Sequence, residues 1–273
     1  MLRVPSSVWL LTLSVASTGA ACSSAQRAAR SPGPAEPTFT VVTYNVNYGL
    51  EGDPEVVEVI RRADADVVVL QETNVGWEAA LSAGLADAYP HRYFHHAGAA
   101  GGSAILSRFP IEALDVVPPR VDGSWFAALT AVVHTNAGPL QLVNVHLRPA
   151  ISDSGSVVAG YFGTSSVREA EMRAILGTLD PRLPTLVAGD FNESGGGALA
   201  FLEGRGFEDG VAAFVPDADT WRWTTSVGQI ESQLDHLAYD PRVEPLEVRV
   251  IAEGPSDHVP VFARLSLRRA KPS

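Results

Sequence analysis

Apolar and polar positions alternate in blocks along most of the chain, from about residue 39 to residue 268. Residues 67–70 form a continuous apolar run, which is typical of a strand buried on both faces. Residues 40–44 are rich in β-branched and aromatic side chains, which also favour a strand. The same reasoning predicts further strands at 103–107, 126–134, 140–147, 184–189, 234–239 and 258–267.

Two helix starts can be identified between these strands. Asp53 followed by Pro54 is a capping residue with proline at the first helical position, and apolar residues recur behind it at helical spacing. Ser166 with Glu169 three residues later forms a capping-box pattern, which predicts a helix that continues to residue 179. Strands outnumber helices in this order, which predicts an α/β (α+β) domain of two packed sheets covered by helices.

Composition and charge narrow the functional classes. The chain has 273 residues, of which 46% are hydrophobic and 19% charged, enough for one well-buried domain and unlike a disordered protein. Lys271 is the only lysine, which excludes a P-loop and a Schiff-base enzyme. The net charge of −11 disfavours tight non-specific binding of nucleic acid.

The N-terminus predicts export. Residues 1–21 combine Arg3, a short apolar stretch and small residues, which is typical of a secretory signal peptide. Cys22 stands where bacterial lipoproteins carry their acylated cysteine, so we expect an exported lipoprotein anchored to a membrane. Cleavage after Ala25 is the alternative and would give a soluble secreted or periplasmic protein. Residues 22–38 are rich in Ser, Ala and Pro, and we expect a flexible, solvated tether.

The remaining chain divides into a catalytic domain at 39–268 and a tail at 269–273. Cys22 is the only cysteine, so the domain can have no internal disulfide and its stability must come from core packing.

Polar residues with catalytic or metal-binding chemistry stand at the ends of the predicted strands. They are Asn45, Glu72, His146, Asp190, Asn192, Asp235, Ser256, Asp257 and His258. Each is embedded in apolar sequence, where an unpaired carboxylate would be costly. Because scaffolds present catalytic groups at strand ends, we expect these side chains to converge on one site.

The ordered motifs TYNVN, LQE, GSAILSR, NVHL, GDFN, LDH and SDHVP resemble the endonuclease/exonuclease/phosphatase superfamily, which includes deoxyribonucleases, sphingomyelinases and inositol-phosphate phosphatases. The resemblance spans about residues 40–267. It implies a four-layered sandwich, in which two mixed β-sheets pack face to face with helices on the outside. It also implies hydrolysis of phosphoesters assisted by a divalent cation, usually Mg²⁺, with Mn²⁺ as an alternative.

Mg²⁺ prefers hard oxygen ligands and retains several waters, so one or two carboxylates suffice to hold it. Glu72 is the best candidate ligand, supported by Asn45 and Asp257. Asp190 would orient or deprotonate the attacking water, and Asn192 would donate a hydrogen bond to the phosphate.

Two histidines complete the expected site. On the family pattern, His258 is held by Asp235 and stabilises the charge of the transition state. His146 is a second donor, for the phosphoryl oxygen or the leaving group. Asn47 departs from relatives that carry an acid there, which puts a second metal site in doubt.

Several other residues have a structural interpretation beside the functional one. His95 and His96 are adjacent in a predicted loop, where solvated histidines are more common than metal ligands. His236 follows Asp235, so strand alternation should direct it to the opposite face and into packing. Arg148 could hold a phosphate or be an ordinary surface arginine.

Two segments are expected to decide specificity. One is the insertion that contains Tyr161 and Phe162, and the other contains Trp221 and Trp223 on either side of Arg222. Exposed aromatic side chains there could stack on bases or enter a lipid headgroup layer, or they could simply pack an edge strand.

Three hypotheses follow. The favoured one is an exported hydrolase of small or lipid-borne phosphodiesters, which we expect to be monomeric. A secreted nuclease that acts on DNA or RNA is the second. A catalytically inactive binding module ranks last, because such relatives lose ligands that are all present here.

Overall fold

A computed structural model describes residues 26–150, 163–226 and 228–268. The predicted signal segment, Cys22, the aromatic pair Tyr161 and Phe162, and the tail at 269–273 lie outside the described residues. No helix in the described ranges is both long and apolar enough to cross a bilayer.

Strands make up most of the regular structure. They are β1 (Thr38–Asn45), β2 (Val67–Gln71), β3 (His91–His95), β4 (Ser103–Ser107), β5 (Ile111–Val117), β6 (Ala128–Thr135), β7 (Gly138–His146), β8 (Thr185–Asp190), β9 (Glu208–Asp209), β10 (Trp221–Thr225), β11 (Gly228–Ser232), β12 (Asp235–Tyr239), β13 (Val243–Val250) and β14 (Val261–Leu267). The α-helices are α1 (Pro54–Ala63), α2 (Val75–Leu85), α3 (Ser165–Leu176), α4 (Gly197–Glu203) and α5 (Gly210–Phe214).

Two six-stranded sheets form the body of the protein. The first has the order β13-β14-β1-β2-β4-β3 and the second β5-β6-β7-β8-β12-β9, while β10 and β11 form a separate hairpin. Each six-stranded sheet is mixed, because β1 and β2 run parallel in one and β7 and β8 run parallel in the other, among antiparallel neighbours. This confirms the predicted pair of mixed sheets.

The core has the layers of a sandwich. One apolar cluster lies between the sheets and draws on both, with Val41 and Val69 from the first and Leu142 and Leu186 from the second. A second cluster packs α1 and α2 on the outer face of the first sheet. A third packs α3 and α4 on the outer face of the second sheet. The four layers are therefore helix, sheet, sheet and helix.

The parallel strands of the two sheets end at one common edge. The amide of Asn45, the last residue of β1, donates to Asp190 Oδ2 at the end of β8 over 3.1 Å. Gly189 allows the close approach of the strands next to Asp190, because its φ is 145° and a Cβ there would lie 2.0 Å from the carbonyl oxygen of Val145. The sequence around these strand ends therefore builds a site between the sheets.

The helix predictions are partly right. Asp53 caps α1 as expected and accepts from the backbone N–H groups of Glu55 and Val56. The prediction that Ser166 caps the next helix is wrong, because α3 begins at Ser165 and follows Thr164. Its end at Leu176 is also earlier than predicted.

The described part of the predicted tether is attached to the domain. The backbone N–H of Arg27 donates to the Ala213 carbonyl over 2.8 Å, and that of Arg30 donates to the Leu246 carbonyl over 2.9 Å. The Arg27 side chain also pairs with Glu208. Residues 26–37 are thus not a purely solvated linker, which composition alone could not reveal because backbone hydrogen bonds leave no trace in it.

Candidate active site

Asp190 lies at the centre of a row of polar residues across the second sheet. Its register partner on β7 is His146, and its register partner on β12 is Asp235. All three side chains are buried. Strand pairing therefore assembles half of the predicted site without any contribution from loops.

The first sheet supplies the facing half. Asn45 Nδ2 donates both to Asp190 Oδ2 and to Glu72 Oε1, each over 3.1 Å. Glu72 directly follows β2, and its second oxygen accepts from the backbone N–H of Tyr48 over 3.1 Å. Asn45 is therefore the bridge that brings Glu72 and Asp190 together across the gap between the sheets.

His258 reaches the row from the segment before β14. Its Nδ1 lies 2.8 Å from Asp235 Oδ2, and its Nε2 lies 3.6 Å from Asp190 Oδ2. His146 Nε2 lies at the same 3.6 Å distance from that oxygen. Asp190 is consequently flanked by two imidazoles, an arrangement that the sequence did not specify.

The two histidines differ in charge. Burial lowers the pKa of His146 to about 3, and the positive charge of His258 adds to this effect. Burial also disfavours charge on His258, but Asp235 and Asp190 outweigh it and raise the pKa of His258 to about 10. Near neutral pH, His258 is therefore an imidazolium and His146 a neutral imidazole.

The carboxylates are also perturbed. Burial raises the pKa of Asp190 to about 7, with Asp235 adding to the rise and His258 opposing it. Burial raises the pKa of Glu72 as well, and the negative charge of Asp257 contributes in the same direction. The pocket thus concentrates negative charge, which a divalent cation would relieve.

Asp257 connects three segments at the site. Its Oδ1 accepts from Asn47 Nδ2 over 2.9 Å, and its Oδ2 accepts from Trp221 Nε1 over 3.1 Å. Its backbone carbonyl accepts from the N–H of Arg222. The neighbouring Ser256 Oγ donates to the carbonyl of Asn45 over 2.9 Å. Position 47 therefore offers Asp257 an amide donor instead of a second carboxylate.

Asn192 is held by the strand ends. Its backbone N–H donates to Asp190 Oδ1 over 2.8 Å, and its side-chain amide donates to the carbonyl of Leu147 over 3.0 Å. Three residues of the site have a left-handed backbone that is uncommon outside glycine: Asn47 at φ 59°, Glu72 at φ 61° and Asn192 at φ 53°. Such conformations cluster at functional sites, where the surrounding structure imposes them.

The donor set fits a hard divalent cation. Glu72, Asn45 and Asp257 offer carboxylate and amide oxygens, which are the ligands that Mg²⁺ prefers. Ligand atoms of Asp190, Asp235 and His258 also lie within 4.8 Å of one another. We favour Glu72, Asn45 and Asp257 over that trio, because Asp235 and His258 are already bonded to each other over 2.8 Å.

The other histidines considered in the sequence, His95, His96 and His236, lie outside the site. His95 is the last residue of β3 and so does not lie in the predicted loop, while the exposed His96 bonds to Glu78 over 2.6 Å. His236 is on the opposite face from the site, as predicted, where it is buried and bonds to Asp209 over 2.7 Å.

Arg148, the predicted candidate for a phosphate contact, is engaged by the protein itself, and so are Arg168 and Arg222. Arg168 is buried and pairs with Glu193. Arg148 is also buried, so it is not an ordinary surface arginine, and its guanidinium lies 3.6 Å from the centre of the Trp125 ring. Arg222 is half-buried and donates to the carbonyl of Gly254.

Aromatic side chains surround the site, and the sequence did not single out Tyr48, Trp125 or Phe126 among them. Phe126 stacks on His146 with ring centres 4.1 Å apart, and its neighbour Trp125 covers Arg148. Across the hairpin, Trp223 is the register partner of Ile230, and both are about half exposed. The large exposed hydrophobic residues of the described ranges are Tyr48, Val75, Trp125, Trp223 and Ile230. The backbone of Tyr48 bonds to Glu72. Trp125 is next to Phe126, which stacks on His146, and Trp223 is two residues from Trp221, which bonds to Asp257.

Solved structures share this fold. An endonuclease/exonuclease/phosphatase from Beutenbergia cavernae DSM 12333 superposes with a TM-score of 0.64 and 22% identity, covering 85% of this chain and 72% of that one. D. rerio TDP2 complexed with single strand DNA product gives a TM-score of 0.62 and 16% identity, covering 84% of this chain and 99% of that one. The human Nocturnin catalytic domain with bound sulfate anion gives 0.63 and 15%, covering 85% and 94%. Identities this low establish the fold alone.

No curated protein matches the sequence. The sequence model of the Endonuclease/Exonuclease/phosphatase family, however, matches residues 42–258, which contain all nine polar residues predicted to converge on the site. A match over most of the chain shows that this protein belongs to the endonuclease/exonuclease/phosphatase family, whose members hydrolyse phosphoester bonds.

Proposed function

We propose that the chain is an exported, Mg²⁺-dependent phosphoesterase whose preferred substrates are small or lipid-borne phosphodiesters. The observation that carries the proposal is the position of Asp190, which contacts Asn45 over 3.1 Å and lies 3.6 Å from both His146 and His258. A carboxylate with a pKa of about 7 can accept a proton from water at neutral pH.

The roles of the residues follow from their charges. Glu72, with Asn45 and Asp257, would hold Mg²⁺, and the bound cation would neutralise charge on a phosphoryl oxygen. Asp190 aligns the attacking water and takes its proton. The imidazolium of His258, held by Asp235, stabilises the negative charge that develops on phosphorus-bound oxygen. His146 and Asn192 would orient the phosphate and the leaving group.

The metal requirement has a direct test. Excess chelator should abolish hydrolysis of a chromogenic phosphodiester, and Mg²⁺ or Mn²⁺ should restore it. Glu72→Gln should weaken Mn²⁺ binding, measured by electron paramagnetic resonance, and lower kcat by about 10²-fold or more. Asp190→Asn should lower kcat by about 10²–10⁴-fold. Glu112→Gln, an exposed carboxylate on β5, is the matched control and should change neither quantity. Full activity in excess chelator would disprove the metal mechanism.

A secreted nuclease is the second candidate. The half-exposed Trp125 and Trp223 favour it, because aromatic rings stack on bases. Charge opposes it: the chain carries −11, and Arg148, Arg168 and Arg222 are engaged within the protein instead of forming a basic track.

These two candidates differ in salt dependence. Cleavage of plasmid and of a small phosphodiester should be compared from low to moderate salt. We expect the small substrate to be preferred at every salt concentration. Efficient plasmid digestion that falls steeply with salt would favour the nuclease. For such an enzyme, the logarithm of the binding constant falls with the logarithm of the salt concentration by about 0.9 per phosphate contact. The same assay should include sphingomyelin, RNA and inositol phosphates. Absence of turnover on all of these substrates would favour the inactive binding module.

Export through a lipid anchor at Cys22 is part of the proposal. Cys22→Ser should release the protein from membranes if the cysteine is acylated. Unchanged partitioning between membrane and soluble fractions would favour the soluble secreted or periplasmic form. Sedimentation of the soluble domain should give the mass of a monomer.

A further inference from the structure

Arg168 is a buried cation that holds two separate segments of the chain. Only 2% of the residue is exposed. Its Nε donates to Glu193 Oε2 over 2.7 Å. Its Nη1 donates to the backbone carbonyl of Arg148 over 3.0 Å and to Thr164 Oγ1 over 2.7 Å. The guanidinium is thus fixed by three bonds of a geometry that only arginine can satisfy at once.

The partners of Arg168 directly follow the catalytic strands. Arg148 is two residues beyond His146, the last residue of β7. Glu193 is three residues beyond Asp190, the last residue of β8, and follows Asn192. One side chain on α3 therefore connects the exits of the two parallel strands that carry half of the site.

A neighbouring carboxylate holds the backbone of Arg148 from its other side. Glu171, one turn further along α3, accepts from the backbone N–H of Arg148 over 2.9 Å. The N–H and the C=O of Arg148 are therefore both bonded to α3. The backbone of Arg148, two residues beyond His146, is consequently fixed to a helix.

Glu193 is equally constrained on the other side. Its Oε1 accepts from the N–H of Leu199 over 2.9 Å, and its carbonyl accepts from His236 Nε2 over 2.9 Å. Gly197, at φ 46°, is packed so closely that a Cβ would lie 2.2 Å from Glu193 Oε2. The carboxylate of Glu193 has little freedom to follow a displaced partner.

Two direct hydrogen bonds also join the two exits nearer the site. The N–H of Leu147 donates to the carbonyl of Asp190 over 2.9 Å, and the amide of Asn192 donates to the carbonyl of Leu147 over 3.0 Å. The link from Arg148 through Arg168 to Glu193 is a third connection between the two exits, and it is buried. Movement of that link would shift Asn192, which the bond to Leu147 holds at the site.

We propose that Arg168 is a positioning residue that, with Glu193, aligns the loop of Asp190 and Asn192 with the end of β7. The inference rests on the proposed hydrolysis at this site and adds a residue that contacts neither substrate nor metal. Misalignment of about 1 Å can cost as much as 10²-fold in rate. Loss of the link should therefore lower kcat and leave KM little changed.

A single substitution would confound alignment with stability, because Arg168→Met leaves Glu193 buried without its cation. The test therefore uses Arg168→Met, Glu193→Gln and the double variant that removes both charges. Arg168→Lys retains the charge but cannot make all three bonds. Arg173→Met on the same helix is the matched control, since Arg173 is exposed and pairs with Glu169.

Each variant is assayed for its melting temperature and for kcat and KM with a chromogenic phosphodiester. Hydrogen exchange is measured at the backbone N–H groups of Leu147 and Asn192. We expect both single variants to melt at lower temperature and the double variant to recover most of that loss. Its kcat should stay about 10–100-fold below that of the wild type, with KM within about twofold and with faster exchange at both amides. Arg168→Lys should regain part of kcat.

Recovery of both stability and kcat in the double variant would overturn the proposal and leave a purely structural ion pair. Unchanged exchange at Leu147 and Asn192 would also overturn it. If the wild type hydrolyses no phosphoester, the proposed function fails, but the exchange measurement still decides whether Arg168 holds the two exits.

Discussion

The carboxylate of Asp235 and the imidazole of His258 form a buried hydrogen bond of 2.8 Å between Oδ2 and Nδ1. The other oxygen of Asp235 is buried and has no hydrogen-bond partner among the described residues. Thr220 Oγ1 accepts from the backbone N–H of Asp235 and so fixes the start of β12. The negative charge of Asp235 is therefore directed mainly at His258.

Asp235→Asn should shift the alkaline limit of activity. The pKa of His258 is about 10, because Asp235 and Asp190 outweigh the opposing effect of burial. His258 is charged below that pKa, so removal of the Asp235 charge lowers the pKa and the imidazolium is lost at lower pH. We expect kcat to fall by about 10-fold or more near neutral pH and the alkaline limb of the pH–rate profile to move to lower pH.

The pair of Asp209 and His236 provides the control for this measurement. It has a similar bond of 2.7 Å but lies on the opposite face of β12 from the site. Asp209→Asn should leave the pH–rate profile in place. An unchanged profile in Asp235→Asn, or an equal shift in both variants, would show that the bond between Asp235 and His258 has no special part in catalysis.

Trp221→Phe should lower activity through Asp257. The indole N–H of Trp221 donates to Asp257 Oδ2 over 3.1 Å, and a hydrogen bond to a charged acceptor contributes about 1.5–3 kcal/mol. Its loss frees one side of a proposed metal ligand, so we expect weaker Mn²⁺ binding together with a lower kcat. Trp223→Phe is the control, because Trp223 is half exposed at the same hairpin. Equal behaviour of the two variants would exclude the hydrogen bond as the cause.

The sequence predicted that these polar residues would converge, because they lie at strand ends. His146 and Asp190 end the parallel strands β7 and β8, and Asp235 begins the antiparallel neighbour β12, so all three lie at one edge of the sheet. The register then places them side by side. The same argument found Asn45 and Glu72 on the other sheet, since both sheets contain one parallel pair at the centre.

What the sequence could not predict are contacts between segments without a periodic pattern. Trp221 and Asp257 are 36 residues apart, and nothing in either segment specifies the other. Arg168 resembled any arginine on an amphipathic helix, because the sequence does not show which turn of α3 faces the exits of β7 and β8. The attachment of residues 26–37 is similarly invisible, since backbone groups make its main bonds.

Gly189→Ala should destabilise the protein although it adds only a methyl group. Gly189 has φ 145°, and a Cβ there would lie 2.0 Å from the carbonyl oxygen of Val145 on the paired strand. The methyl group would push β7 away from β8, so we expect a loss of about 2–4 kcal/mol in the free energy of unfolding, measured with urea. Gly98→Ala is the control, because the position is open and should change stability by less than about 0.5 kcal/mol. Similar losses in the two variants would contradict the close approach.

The last prediction concerns the dependence of stability on pH. Burial disfavours charge on His236, but Asp209 outweighs it and raises the pKa of His236 above its ordinary value of 6.5. A histidine with a raised pKa in the folded state contributes stability that is fully present below about pH 6.5 and is lost as the pH rises through the folded-state pKa. Asp209→Asn removes the main cause of the rise. The difference in free energy of unfolding between wild type and Asp209→Asn should therefore be larger at pH 5.5 than at pH 9. Urea unfolding at the two pH values measures it, with Asp115→Asn, an exposed carboxylate on β5, as the control. A difference that is constant with pH, or larger at pH 9, would mean that His236 is neutral in the folded protein.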